Sequence, residues 1–196
     1  MFTFRLDSKK AVEAAVILAR QSPHRKISRK RLLALLYIAN RECLKRSGRP
    51  IIGGRLVAMK YGPVHAGVYD LINKREGAAG VEDWSEHFHN DGYFVVLHDE
   101  PTISALSRFE IGILSDVLER HEEEDDWDVT WHTHAFPEYV MSYKKGQSRT
   151  IPFEQMIHAT VAPARKGESI MRDLKEKEEI DDLFANAAGK TARPKD

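Results

Sequence analysis

Nine histidines are the side chains of this sequence with the clearest capacity to bind a metal ion. His87 and His89 fall in a segment predicted to be a strand, where alternate residues face the same side, and His132 and His134 follow an acidic run over residues 121–126. A zinc site requires three or four converging ligands, however, and the sequence shows only pairs. The acidic run is explained more simply by the preference of Asp and Glu for the start of a helix. The sequence therefore predicts no metal ion and no cofactor.

The sequence does not indicate a nucleophilic or phosphate-binding site. Cys43 lies among apolar neighbours in a segment with helical spacing, which is typical of a small buried residue and not of a nucleophile. No Gly-x-Ser-x-Gly motif is present, and Gly53, Gly54 and Gly62 do not form the glycine-rich loop of phosphate-binding proteins. We therefore predict that the protein is not an enzyme and has no catalytic residues.

Charge is distributed unevenly along a chain whose formal net charge is zero. Residues 1–75 hold 17 Lys and Arg against 4 Asp and Glu, whereas residues 76–142 hold 2 against 17. A basic segment of this kind favours contact with nucleic-acid phosphates. Two alternatives stay open: the basic and acidic segments face each other in the fold, or they form two separate solvated faces.

Hydrophobic periodicity predicts helices through most of the chain, and these elements must position any functional residue. Ser8 and Ser28 have the positions of N-caps, Gly48 that of a C-cap, and Gly62 with Pro63 that of a helix start. The predicted helices cover residues 9–20, 29–46, 63–74, 104–121, 126–134, 137–144 and 152–160.

A β-hairpin is predicted over residues 86–98, with Asn90-Asp91-Gly92 as its turn. The fold class is therefore mainly α, a compact single-domain helical bundle with a small β-hairpin insertion. We place this domain at residues 1–162. Residues 163–196 are rich in charge, which predicts a C-terminal tail that is partly helical or disordered and dispensable for folding.

The chain has no feature that predicts a membrane or secreted protein. No apolar run approaches the roughly 18–20 residues that a membrane span requires, and the N-terminus lacks the apolar core of a signal peptide. We therefore expect a soluble, cytoplasmic protein.

Four segments, taken in order, carry a resemblance to a known family. They are the leucine-rich run over residues 32–39, the loop over residues 48–51, the segment over residues 58–69 and the segment over residues 133–138. In this order they resemble the Panacea domain of SocA-like bacterial and prophage antitoxins, and the resemblance extends over roughly residues 8–160. The sequence departs from the family at Glu138, where tryptophan is usual, and at Lys60, where a less basic residue is common.

The resemblance implies an antitoxin, a protein that binds a cognate protein toxin and neutralises it by protein–protein contact. In the SocA-type case, the antitoxin resembles a proteolytic adaptor that hands the toxin to an ATP-dependent protease. The resemblance implies no catalytic residue, because the family is not an enzyme family. The alternative is a DNA-binding regulator of its own operon that uses the basic residues 1–75.

The turn that precedes the third predicted helix is the predicted place of partner contact. Its tyrosines have the large aromatic area of interface anchors, although they could instead belong to the core. A helix that starts at Gly62 would also offer unpaired backbone N–H groups to a carboxylate or carbonyl of the partner. The predicted partner-binding residues are Lys60, Tyr61, Gly62, Pro63, Val64 and Tyr69.

Overall fold

A computed structural model describes residues 4–191, apart from the side chains of residues 174, 177, 178 and 181–191. The helices in this part of the chain are α1 (Ser8–Arg20), α2 (Arg29–Ser47), α3 (Ala66–Ile72), α4 (Val81–His87), α5 (Arg108–Arg120), α6 (Asp126–His134), α7 (Pro137–Ser142), α8 (Phe153–Thr160) and α9 (Ala164–Thr191). The strands are β1 (Lys26–Ser28), β2 (Leu56–Met59), β3 (Gly62–His65), β4 (Phe88–Asp91), β5 (Phe94–Leu97) and β6 (Arg149–Ile151).

Helix α2 is the central element, against which α1, α5, α6 and α8 pack. It begins as predicted at Ser28, whose hydroxyl accepts a hydrogen bond from the Arg31 N–H, and it ends at Gly48 in the left-handed conformation (φ +77°). Its apolar residues are buried nearly all round, since both main core clusters draw on this helix. The prediction of a buried, mainly helical core is therefore confirmed.

The basic and acidic segments face each other. Lys10 on α1 lies 2.6 Å from Glu110 on α5, and Arg46 on α2 lies 3.2 Å from Asp116 on α5. Arg31 donates hydrogen bonds to backbone carbonyls in the turn between α5 and α6. This arrangement follows from packing the basic helices α1 and α2 against the acidic helices α5 and α6.

The described residues form two small antiparallel sheets of three strands each, where the sequence predicts one hairpin. The hairpin is present as β4 and β5, but it starts at Phe88 because residues 86 and 87 belong to α4. Strand β1 extends that sheet beside β5, and β6 extends the second sheet beside β2. Each added strand has three residues, too few for an alternating pattern to reveal it in the sequence.

The helix predicted over residues 63–74 is wrong in its first three residues. Gly62–His65 form strand β3, which pairs with β2, and the helix α3 begins at Ala66. Proline is tolerated because β3 is an edge strand. The connecting turn, Lys60-Tyr61, lacks the Asn-Gly or Asp-Gly signature that would have indicated a hairpin.

Helix α5 also starts later than predicted, at Arg108 in place of Ser104. Ser107 forms the cap: its hydroxyl accepts the Glu110 N–H while the Glu110 carboxylate accepts the Ser107 N–H. The backbone N–H groups of residues 104–106 instead donate to the buried carboxylate of Glu13 on α1.

Much of the predicted tail is helical, since α9 covers Ala164–Thr191, and residues 192–196 lie outside the described residues. Ile170 and Met171 are partly buried against the core cluster that contains Tyr37 and Ile157. The fit is close: a Cβ added at Gly48 would lie 2.9 Å from Ile170 Cδ1. The start of α9 thus contributes to the packed core. None of the described helices is both long enough and apolar enough to span a bilayer.

Candidate partner-binding cleft

The turn between β2 and β3 presents one aromatic ring to solvent. Tyr61 is 53% exposed at this turn, beside the exposed Lys60. Gly62 adopts a positive φ (+107°), and a Cβ there would lie 2.7 Å from the Thr133 hydroxyl on α6. Glycine is therefore required for the hairpin to rest on α6, and this contact sets the position of Tyr61.

The other predicted contacts have different places in the structure. Pro63 and Val64 are buried in β3, as is Gly62, so these residues support the turn without being accessible to a partner. The expected helix N-terminus is absent from this point, because α3 begins at Ala66, whose N–H donates to the Arg55 carbonyl. Tyr69 on α3 is partly exposed but does not line the cleft that contains Tyr61.

Helix α6 places two tryptophans beside this turn. Trp127 and Trp131 are four residues apart and so lie on the same side of the helix, where they are 55% and 68% exposed. Asp125 starts the helix by accepting hydrogen bonds from the N–H groups of Trp127 and Asp128. The Trp127 and Tyr61 rings make a T-shaped contact with their centres 6.0 Å apart, and Lys30 Nζ lies 3.3 Å from the centre of the Trp127 ring.

A continuous series of ring contacts joins α6 to α7. Trp131 contacts His134 and His134 stacks on Tyr139, each with 4.9 Å between ring centres, and Tyr139 stacks on Tyr143 at 5.2 Å. The Tyr139 hydroxyl donates to the Met59 carbonyl at the end of β2. Burial raises the pKa of Tyr139 to about 12, and burial lowers the pKa of His134. Both rings are therefore uncharged at neutral pH.

These groups enclose an open cleft of about 510 Å³, which we call the aromatic cleft. It is lined by Lys60, Tyr61, Trp127, Trp131, His134, Tyr139, Val140 and Tyr143. Val140 is also 62% exposed, so the cleft and its rim present apolar area to solvent. Lysine is the one charged residue of this lining. The cleft therefore offers aromatic and van der Waals contact, with a cation at its edge.

A buried ion pair holds α7 beneath the cleft. Glu138 is fully buried and accepts hydrogen bonds from Arg41 Nε at 2.9 Å and from the Tyr37 hydroxyl at 3.3 Å. Burial, and then the adjacent carboxylate, raise the pKa of Tyr37 well above its usual value. Arg41 also lies 4.2 Å from the centre of the Phe136 ring. The departure at Glu138 noted in the sequence is thus the centre of an internal polar network.

The histidine pairs of the sequence are not pairs in space. His87 ends α4 and lies near Asp83 and Asp99, whereas His89 is on β4 with its ring 5.5 Å from His98. His132 is separated in the same way from His134, and it contacts Glu124 instead. The expectation that His87 and His89 lie on one face of a strand is therefore wrong.

Sequence reasoning identified Tyr61 and Lys60 but missed the rest of the aromatic cleft. The spacing of Trp127 and Trp131 could have indicated this surface, because two tryptophans at helical spacing in an otherwise polar segment are expected to share an exposed face. The sequence contains no such signal for Tyr139 and Tyr143, since Tyr139 reaches the cleft through its contact with Met59 and Tyr143 by stacking on Tyr139.

The comparison with protein families decides the class of this chain. The profile described as antitoxin SocA-like, Panacea domain, matches residues 32–139, more than half of the sequence. The chain belongs to the SocA-like antitoxin family. The Panacea-domain match runs from α2 into α7 and includes most of the aromatic cleft, but it stops before Val140 and Tyr143. Membership indicates an antitoxin role and a non-enzymatic one. Neither a curated protein nor a solved structure matched the chain.

Proposed function

We propose that the protein is an antitoxin that binds and neutralises a cognate protein toxin through the aromatic cleft. The observation that carries this proposal is the clustering of exposed apolar side chains, Tyr61, Trp127, Trp131 and Val140, at one place. Single exposed hydrophobic residues are common on soluble proteins, whereas a contiguous group is typical of an interaction surface. Tyrosine and tryptophan are also the residues that most often dominate binding energy at interfaces.

The lining of the cleft favours a particular kind of segment on the toxin. The His134 and Tyr139 rings of the cleft are uncharged at neutral pH. An apolar or aromatic side chain of the toxin could therefore bind there without burying an unpaired charge. Lys60 at the edge, with its Nζ 5.0 Å from the centre of the Tyr61 ring, would attract an acidic residue next to that side chain.

The alternative function, DNA binding by the basic first third, has less support. Arg31 donates to the carbonyls of His121 and Glu124, and Lys30 lies over Trp127. These side chains are therefore already engaged, and the acidic helices beside them would repel phosphate. A DNA complex would weaken by orders of magnitude between roughly 50 and 200 mM salt, whereas a complex with a buried aromatic core would change much less.

The central experiment is co-expression with the product of the neighbouring reading frame as the candidate toxin. Tyr61→Ala is compared with Tyr93→Ala, which removes an 85% exposed tyrosine from the β4–β5 turn outside the cleft. We expect the wild type and Tyr93→Ala to protect cells and to co-purify with the toxin, and Tyr61→Ala to do so poorly. Unaltered protection and toxin affinity in a normally folded Tyr61→Ala protein would contradict the cleft as the binding site.

The same cells test how neutralisation occurs. We propose, from the family resemblance, that the protein acts as an adaptor that delivers the toxin to an ATP-dependent protease. The toxin should then disappear rapidly after its synthesis is blocked, only when the antitoxin and the protease are both present. A toxin that is stable but inactive in the complex would instead show that neutralisation is by blockade.

A further inference from the structure

Three side chains that the sequence separates converge beside α6. His121 is the C-cap residue of α5 and is buried, Glu124 lies in the following turn, and His132 is on α6. Glu124 Oε2 lies 2.8 Å from His121 Nδ1, and Glu124 Oε1 lies 3.1 Å from His132 Nε2. One nitrogen or oxygen from each residue lies within 4.8 Å of the other two. Two imidazoles and one carboxylate therefore face a common point.

The chemistry of this ligand set suits zinc, and its atoms lie close enough together to reach one ion. Zinc is bound by imidazole nitrogen and carboxylate oxygen at about 2.0–2.2 Å, which places adjacent ligand atoms of a tetrahedral site about 3.3 Å apart. The two nitrogen–oxygen separations, 2.8 and 3.1 Å, are a few tenths of an ångström shorter and involve different oxygens of Glu124, so small side-chain rotations would bring the ligands to this spacing. Calcium and magnesium prefer oxygen ligands throughout, so two imidazoles disfavour them. We propose that His121, Glu124 and His132 form a binding site for one Zn²⁺ ion, with water as the fourth ligand.

The surrounding residues hold two of these ligands in place. Arg31 on α2 donates to the backbone carbonyls of His121 and Glu124, 2.5 and 2.6 Å away, and so fixes the turn that carries them. Its guanidinium is directed at carbonyls, which leaves the Glu124 carboxylate free to contact the histidines. Asp126 Oδ1 lies 4.0 Å from Arg31 Nη1, so an acidic residue offsets the positive charge of Arg31 near the site.

The site would connect the α5–α6 turn to the outer side of α6, the helix that carries Trp127 and Trp131. A bound ion would therefore brace this wall of the aromatic cleft. In the absence of an ion, Glu124 bridges the two imidazoles by hydrogen bonds, which is the purely structural alternative. The proposal does not depend on what the cleft binds, because metal binding is measured on the isolated protein.

The test is calorimetric titration of Zn²⁺ into untagged, chelator-treated full-length protein. We expect one equivalent to bind, and Co²⁺ to give the visible spectrum of a tetrahedral site. Glu124→Gln and His132→Ala should each weaken zinc binding by more than about 100-fold, since removing even an outer-shell partner costs 10–100-fold. His158→Ala is the matched control, because it removes an exposed histidine of α8 that is not part of the cluster.

Specific outcomes would overturn the proposal. They are the absence of stoichiometric zinc, or binding that is equal in the wild type, Glu124→Gln and His132→Ala. Loss of binding only in His89→Ala would place the ion at the His89–His98 contact instead. His132 is half-exposed, so its replacement should preserve the fold, and the helical spectrum of each variant checks this.

Discussion

Replacement of Trp131 by alanine is the sharpest test of the aromatic cleft. Trp131 is 68% exposed in the free protein, and its main ring contact is with His134. About a third of the side chain, roughly 80 Å², is buried, so Trp131→Ala should lower the free energy of unfolding by at most about 2 kcal/mol, which leaves the protein folded. Any large effect of the substitution on toxin binding would therefore come from the interface and not from a loss of folding.

The expected loss of affinity follows from the exposed area. A tryptophan side chain offers up to about 250 Å², so an exposure of 68% leaves roughly 170 Å² for a partner to cover. At about 25 cal/mol per Å², complete burial would contribute about 4 kcal/mol. Burial of half that area contributes about 2 kcal/mol, which corresponds to about a 30-fold increase in Kd.

The assay is calorimetric titration of purified toxin with wild-type, Trp131→Ala and Phe109→Ala proteins. Phe109 is the control because it is a half-exposed aromatic residue on α5 that does not line the cleft. We expect Phe109→Ala to bind as the wild type does. A folded Trp131→Ala protein with a Kd within about twofold of the wild-type value would refute the reasoning, because the largest exposed ring would then lie outside the interface.

Two further predictions concern stability. Burial lowers the pKa of His65 from 6.5, its ordinary value, to about 4. The unfolded chain therefore binds a proton at His65 more readily than the folded protein does. The contribution of the neutral histidine to stability is complete above pH 6.5 and falls as the pH approaches 4. Between pH 7 and 5 the wild type should therefore lose about 2 kcal/mol of unfolding free energy through His65. Urea unfolding at the two pH values should show a smaller loss in His65→Asn. An equal loss in the two proteins would contradict this prediction. Ile170→Ala should lower the Tm by about 2–4 °C, since it removes about 1 kcal/mol of packing from α9. Glu168→Ala, at an exposed position, should leave the Tm unchanged. An unchanged Tm in both variants would support a tail that is dispensable for folding.

Features that depend on neighbours along the chain could be predicted from the amino-acid sequence. The Ser28 cap and the Gly48 end of α2 were predictable because capping chemistry acts over three or four residues. Helix α6 was predicted around Asp126–His134, where it lies, since its acidic start is a local signal. The family was also evident from the order of four segments, and the matched region bears it out.

Tertiary structure alone decided which residues share a surface. Gly62–His65 became a strand because β2 supplied the partner for its backbone, and no local pattern encodes that pairing. The aromatic cleft combines the β2–β3 turn with α6 and α7, and the approach of these elements depends on contact between Gly62 and Thr133. His121 and His132 meet for the same reason: the chain reverses between α5 and α6, and burial against α2 fixes the reversal. Local sequence specifies elements, whereas the energy of packing them, which is non-local, specifies the site.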